Sequence, residues 1–234
     1  MLVQKGERVA SLLGCFGCHG TDLHGKPWED EPEFAVLYTS NLTRALPRYS
    51  DAQLERAIRE GLRYDDSPLW EMPSEAFLPL SAPDMQALIA YLRSVPQGGD
   101  EHPRMILGPE GEKEIKAGTF TPAPEAVRKE RHVAPVFAGE QHALGRYLAH
   151  TICGECHGPD LSGNPNPENF RPDLIVAASY PLTDFRILLK TGRPTGNRTL
   201  KLMAKAAKNR FSHLTEAEVD AIHAYLVARA ATPR

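Results

Sequence analysis

Apolar residues recur at helical spacing near the end of each half of the chain: Leu88, Ile89 and Leu92 in one, Val219, Ile222 and Leu226 in the other. Steps of three and four place such residues on one side of a helix, so each run predicts a helix with a single apolar stripe. Both runs carry a start signal. Ser81 stands three residues before Asp84, and Thr215 three before Glu218, the spacing of N-terminal capping boxes. Two further helices are expected over residues 50–60 and 183–191, each stopped by a glycine, Gly61 and Gly192. No alternating run is long enough to predict a strand, so the fold class is expected to be all-α. The longest apolar stretches, such as 174–178, are far shorter than the ~20 residues that cross a bilayer, and no membrane span is expected.

The two closing helices are copies of one another. FLPLSAPDMQALIAYL and FSHLTEAEVDAIHAYL align at a constant shift of 134, with Phe77 on Phe211, Asp84 on Glu218 and Tyr91 on Tyr225. The beginnings repeat too: GERVASLLGCFGCHGTDLHG from Gly6 answers GRYLAHTICGECHGPDLSG from Gly145, with one residue of slippage. Between them AIREGLR answers LLKTGRP. The chain is therefore read as a tandem duplication. Each copy runs helix, cysteine motif, long loop, short helix, loop, terminal helix. The expected division is residues 1–96, a linker at 97–139, and 140–234. The linker region holds proline at 96, 103, 109, 122, 124 and 135 and shows little periodicity, which fits an extended wrap over both domains with at most a short helix near 124–132.

Chemistry enters with the cysteines. There are four, and they form two pairs, Cys15 with Cys18 and Cys153 with Cys156, each followed at once by a histidine, His19 and His157. CxxCH is the attachment string of c-type haem. Two thiols at that spacing add across the two porphyrin vinyl groups, and the adjacent histidine then lies under the iron as its proximal ligand. A structural zinc site would bring two CxxC knuckles together within a few tens of residues, whereas these lie 138 apart. A thioredoxin-like site would sit beside a βαβ pattern, which neither motif has. Structural disulfides explain neither the tight pairs nor the histidines. Two haem c groups are the expected cofactors.

With these motifs the chain resembles a class I cytochrome c module present twice. It is similar to dihaem cytochrome c electron-transfer proteins and to cytochrome subunits of bacterial membrane-linked dehydrogenases. The stretch SNLTRALPRYSDAQLERAIREGLR followed by EMPSEAFLPLS carries the second likeness. The resemblance implies a methionine as sixth iron ligand in the loop before the last helix. Met72, followed by Pro73, holds that position in the first copy and Met203 in the second. Met203 lacks the following proline and its neighbours LKLMAKAAKN look helical, which leaves His213 as a rival there; Met85 and Met105 are read as packing residues. Asn41, Thr43 and Arg63 are expected in the polar shell of the first haem by the same resemblance. Tyr91 and Tyr225 are read as contacts locking the terminal helices; His102 and His132 in the linker could reach an iron and are further rivals, and the remaining histidines, including His150, are read mostly as surface or packing groups.

His/Met ligation fills both axial sites and raises the reduction potential relative to two histidines, so electron transfer is expected and no catalytic residue is assigned. The expected partners are a redox protein donor and acceptor, such as a dehydrogenase or oxidase. The alternative is a dihaem enzyme with one open or weakly ligated haem; a peroxidase of that type would want further histidine ligation, and a thiosulfate-oxidising cytochrome a spare cysteine. Net charge is −3 and the isoelectric point about 6.3, which gives no general attraction for nucleic acid. The charge is nonetheless uneven. Residues 1–96 net −5 and 140–234 net +3, with six basic residues and no acidic one over 193–210 and an acidic cluster at Glu29, Asp30, Glu31 and Glu33. Haem c is attached outside the bacterial cytoplasm, so a periplasmic or equivalent location is expected, with the leader absent from this sequence.

Overall fold

The computed structural model describes residues 1–232 apart from Asn197, Thr199 and the side chain of Glu168, so the last two residues of the expected C-terminal domain lie outside the described residues. The chain forms two compact units, Met1–Ser74 with Ser81–Lys129, and Glu75–Leu80 with Glu130–Arg234. Residues 97–129 of the expected linker thus belong to the first unit and 130–139 to the second.

In the first unit, helix α1 (Leu2–Leu13) ends at Gly14, whose φ of 80° and backbone N–H bonds to Ala10 and Ser11 carbonyls close the helix in the left-handed manner. A five-residue helix α2 (Cys15–His19) follows at once. Helix α3 (Leu42–Ala45) is capped by the Asn41 side chain. Helix α4 (Asp51–Glu60) has both arms of a Ser50–Gln53 capping box and stops at Gly61 with φ 69°, as its sequence signals require. Helix α5 (Ala82–Ser94) starts where Ser81 accepts the Asp84 backbone N–H and packs against α1. Their buried stripes are Val9, Leu12 and Leu13 on one side and Met85, Leu88, Ile89 and Leu92 on the other. Lys5 pairs with Asp84 across the same contact at 2.6 Å.

The first unit departs from the all-helical expectation in one place. Strands β1 (Pro27–Glu31), β2 (Ala35–Tyr38) and β3 (Ile106–Leu107) form a small antiparallel sheet in that order. The charged β1 lies exposed along most of its length and carries no alternation, and β3 has two residues, so neither offers a period to read. The fold remains predominantly α. The connecting stretch is also more structured than a wrap. It holds helix α6 (Pro109–Ala117), entered through Pro109 and closed by Gly118 at φ 74°, and helix α7 (Ala123–Glu130). Both dock on the first unit: Phe120 packs against Phe34 and Trp70 at 5.2 and 4.8 Å between ring centres, and the Ala123 N–H donates to the Leu69 carbonyl at 2.9 Å.

In the second unit, helix α8 (Ala143–His157) runs unbroken through its cysteine motif, because the residue corresponding to Gly14 is absent. Helix α9 (Leu182–Thr191) ends at Gly192 with φ 72°, and helix α10 (Lys201–Asn209) follows. Helix α11 (Glu216–Ala231) begins with a complete Thr215–Glu218 capping box and packs against α8, where Leu148, Ala149 and Ile152 meet Val219, Ile222, Tyr225 and Leu226 as buried residues. Among the described residues no helix is long and apolar enough to cross a membrane.

Candidate haem-binding sites

Each cysteine motif folds as helix, and this sets its chemistry. Cys15, Cys18 and His19 lie at positions i, i+3 and i+4 of one helical stretch, as do Cys153, Cys156 and His157 at the end of α8; that spacing brings all three side chains to one face. No disulfide joins any of the four cysteines. Burial raises the Cys153 thiol to about 12 and pushes Cys156 up as well, so both are neutral at pH 7.

The histidines are oriented by the backbone. His19 Nδ1 lies 2.9 Å from the Ser40 carbonyl, and His157 Nδ1 lies 2.9 Å from the Pro172 carbonyl. A carbonyl only accepts, so Nδ1 carries the proton in both rings and Nε2 keeps its lone pair for a metal. Burial lowers the proton affinity of both rings, which holds them neutral, as ligation requires. A carbonyl behind a ligating imidazole also fixes ring orientation and raises its basicity.

The loops behind these rings match bond for bond. Gly25 and Gly163 each donate to their histidine's carbonyl at 2.8 Å, and Leu23 and Leu161 sit fully buried in the left-handed region at φ 61° and 62°. Leu42 and Leu174 then donate back to Leu23 and Leu161 at 2.8 and 2.9 Å. Two thiols on one face beside a neutral imidazole with a free Nε2 fit covalently attached haem, and the fit occurs once in each unit. The carbonyls of Ser40 and Pro172 are functional groups that side-chain patterns cannot reveal.

The methionines sit in unlike surroundings. Met72 lies in a loop after Glu71, whose φ is 59°, with its N–H on the Trp70 carbonyl at 2.7 Å and its carbonyl on the Ser74 N–H at 2.8 Å. Ser74 Oγ anchors that loop to α4 through the Ala57 carbonyl at 3.2 Å. Met203 lies within α10, in line with its helical neighbours. Met203, Ala207 and Arg210 share the inner side, where Arg210 pairs with Glu155 of the second cysteine motif at 2.6 Å; Lys201, Lys205 and Lys208 occupy the exposed side. Of the rival ligands, His102 stacks on Tyr38 with ring centres 5.2 Å apart, His132 is exposed, and His213 closes an exposed turn.

The expected polar shell of the first haem is engaged with backbone. Asn41 Nδ2 donates to the Gly98 and Asp100 carbonyls at 2.8 and 2.9 Å, and Thr43 Oγ1 donates to Asn41 Oδ1 at 2.7 Å. Arg63 donates to the Pro68 carbonyl. At the matching place in the second unit Asp173 faces Arg229, a charged pair at 3.0 Å with the arginine almost wholly buried; no motif or period marks that pair. Tyr91 meets Phe16 edge-on at 6.2 Å, whereas Tyr225 is fully buried and bonded to His150 at 3.0 Å.

Helical modules that set two thiols and a backbone-oriented imidazole on one helical face define a protein that carries covalently bound haem. The family model for cytochrome c matches residues 3–96 and 142–229. The chain belongs to the cytochrome c family, whose domains hold haem c and its iron. Among curated proteins it is 29% identical over 267 aligned positions to an alcohol dehydrogenase (quinone) cytochrome c subunit of Gluconacetobacter polyoxogenes, covering 96% of this chain and 55% of that one. It is 24% identical over 252 positions to a fructose dehydrogenase cytochrome subunit of Gluconobacter japonicus, covering 96% and 52%. A nicotinate dehydrogenase subunit of Pseudomonas putida matches at 28% over 179 positions, covering 68% and 14%. The chain thus spans about half the length of the first two relatives.

Proposed function

We propose that the chain binds two haem c groups, one per unit, and passes electrons from a dehydrogenase to a further acceptor on the outer side of the cytoplasmic membrane. The observation that carries this reading is the paired geometry of the imidazoles, each with Nδ1 on a carbonyl at 2.9 Å. Cys15, Cys18, His19 and Met72 would hold one haem, and Cys153, Cys156, His157 and Met203 the other. Iron held by both a histidine and a methionine would leave no position for substrate, and the chemistry it would supply is outer-sphere electron transfer. The relatives' names, which are those of dehydrogenase subunits, support a dehydrogenase as the donor.

The first test is haem content and spectrum. The protein should carry two covalent haems per chain, show the sulfur-to-iron charge-transfer band when oxidised, and not shift with carbon monoxide when reduced. Replacing Cys15 and Cys18 with alanine should halve the covalent haem. A single haem in the unaltered protein, or carbon monoxide binding to it, refutes the assignment.

The partner surface gives a second prediction. Lys201, Lys205 and Lys208 form one exposed face of α10, and opposite charge on a partner would speed encounter there. Changing all three to glutamate should slow reduction of an acidic partner by about tenfold or more at low salt, the effect fading at high salt. An unchanged rate at low salt removes this face from the docking site.

A further inference from the structure

The second unit buries a chain of hydrogen-bonding groups that the first lacks. His150 lies on α8 three residues before Cys153 and seven before His157, at 3% exposure. Its Nδ1 is 2.8 Å from the Pro159 carbonyl oxygen and its Nε2 is 3.0 Å from the Tyr225 hydroxyl. That hydroxyl is in turn 3.0 Å from the Val136 carbonyl.

These three contacts each need a proton, and the neutral groups supply two. With the ring proton on Nδ1, His150 donates to Pro159, and the phenol can then donate to Nε2 or to Val136, not to both. With the ring proton on Nε2, two lone pairs face each other between Nδ1 and Pro159. One added proton satisfies every contact: Nδ1–H to Pro159, Nε2–H to Tyr225, and the Tyr225 O–H to Val136. The geometry thus offers three contacts to the charged ring and two to the neutral one.

The surroundings set when it fills. Burial lowers the His150 value from 6.5 to about 4, Arg229 of α11 and Arg146 of α8 act in the same direction, and the Pro159 carbonyl and Asp160 act in the opposite one. Arg146 lies over Phe137 at 5.1 Å, and its buried Nη1 has no hydrogen-bond partner among the described residues. Arg229 is committed to Asp173 at 3.0 Å and to the Asp160 carbonyl at 2.7 Å. Tyr225 stays protonated, since burial raises it. In the first unit Ser11 stands where His150 does and donates to the Glu7 carbonyl at 3.0 Å, so no titrating ring exists there.

We propose that in acid the second unit takes up a proton at His150 when its haem iron takes up an electron. The proposal rests on one haem being bound in each unit. The balance is ferric iron, neutral His150, one electron from a reduced donor protein and one proton from solvent, giving ferrous iron and an imidazolium whose new N–H is on Nε2. No other bond forms or breaks. Helical rise places His150 roughly 10 Å along α8 from His157, and one unit of charge at such a distance changes proton affinity by roughly tenfold at an effective dielectric of ~20. Reduction removes a positive charge, so ferrous iron raises the affinity of His150 and ferric iron lowers it.

Potentiometric titration of the haem protein between pH 8 and 4 tests this. At fixed applied potential, the reduced-to-oxidised ratio of the second haem should rise about fivefold between pH 7 and pH 4. His150→Ser, which installs the first unit's residue, should abolish that rise while leaving the first haem's wave unchanged. Tyr225→Phe removes the acceptor for Nε2–H and should move the rise to lower pH. Ring nitrogen resonances of His150 should show a second proton at higher pH in the reduced protein than in the oxidised one. Two one-electron waves with the same pH dependence in all three proteins would overturn the proposal. A missing wave or a single haem in the unaltered protein would instead refute the dihaem reading.

Discussion

Gly6→Ala should destabilise the first unit by about 2–4 kcal/mol, and Gly145→Ala the second by a similar amount. A Cβ on Gly6 would lie 1.9 Å from the Ala87 carbonyl oxygen and 2.6 Å from Tyr91 Cβ; on Gly145 it would lie 1.9 Å from the Ala221 carbonyl and 2.8 Å from Tyr225 Cβ. The obstructing atoms are largely backbone of the partner helix, so no rotamer change relieves the overlap. The helices must move apart, and the stripes built on Leu88 and Leu92, or on Ile222 and Leu226, lose contact with them. Helix propensity acts the other way, since alanine is better than glycine by about 1 kcal/mol. The sign of the effect therefore separates the two causes. Thermal unfolding of the haem protein should show a transition lowered by roughly 10–20 °C for either variant; a raised or unchanged midpoint would mean that the crossing tolerates a methyl group.

The parts of the fold legible in the sequence are those set by neighbouring residues. Ser50, Gly61, Thr215 and Gly192 act within one turn of where they stand, and the structure places helix ends there. The duplication was legible because both copies repeat those local signals. The small sheet was not, because β1 is held by pairing with Ala35–Tyr38 and β2 by Ile106–Leu107 from a distant segment. Helix α6 has proline and glycine at its ends, yet only Gly111 of its residues is buried, so it offers no apolar stripe.

The candidate site divides the same way. Thiols and imidazoles announced themselves by spacing, while the groups that orient them are carbonyls of Ser40 and Pro172, which any residue carries. The differences between the units were also hidden. Asn41 in the first unit grips Gly98 and Asp100 of the connecting segment, and Asp173 in the second grips Arg229. Each replaces the other's partner with one from a different part of the chain, so the two proximal loops keep one geometry on two sets of supports.

On the proposed ligation, Met72→Ala should open one iron and leave the other closed. The loop around Met72 does not depend on its side chain: Ser74 ties it to Ala57, Ala123 ties Leu69, and Phe120 packs on Trp70. Truncation therefore removes the thioether without releasing the backbone. The reduced variant should bind carbon monoxide at one haem per chain, lose about half of the oxidised sulfur-to-iron band, and show one of its two reduction potentials lowered, since the methionine ligand holds the potential up. Met203→Ala should do the same to the other haem, and the double variant should lose the band altogether. Because Met203 rides on α10 beside Ala207 and Arg210, its truncation leaves the Arg210–Glu155 pair to hold that helix against the cysteine motif. A full-strength band in Met72→Ala, with no carbon monoxide shift, would assign the distal position of the first haem to another residue.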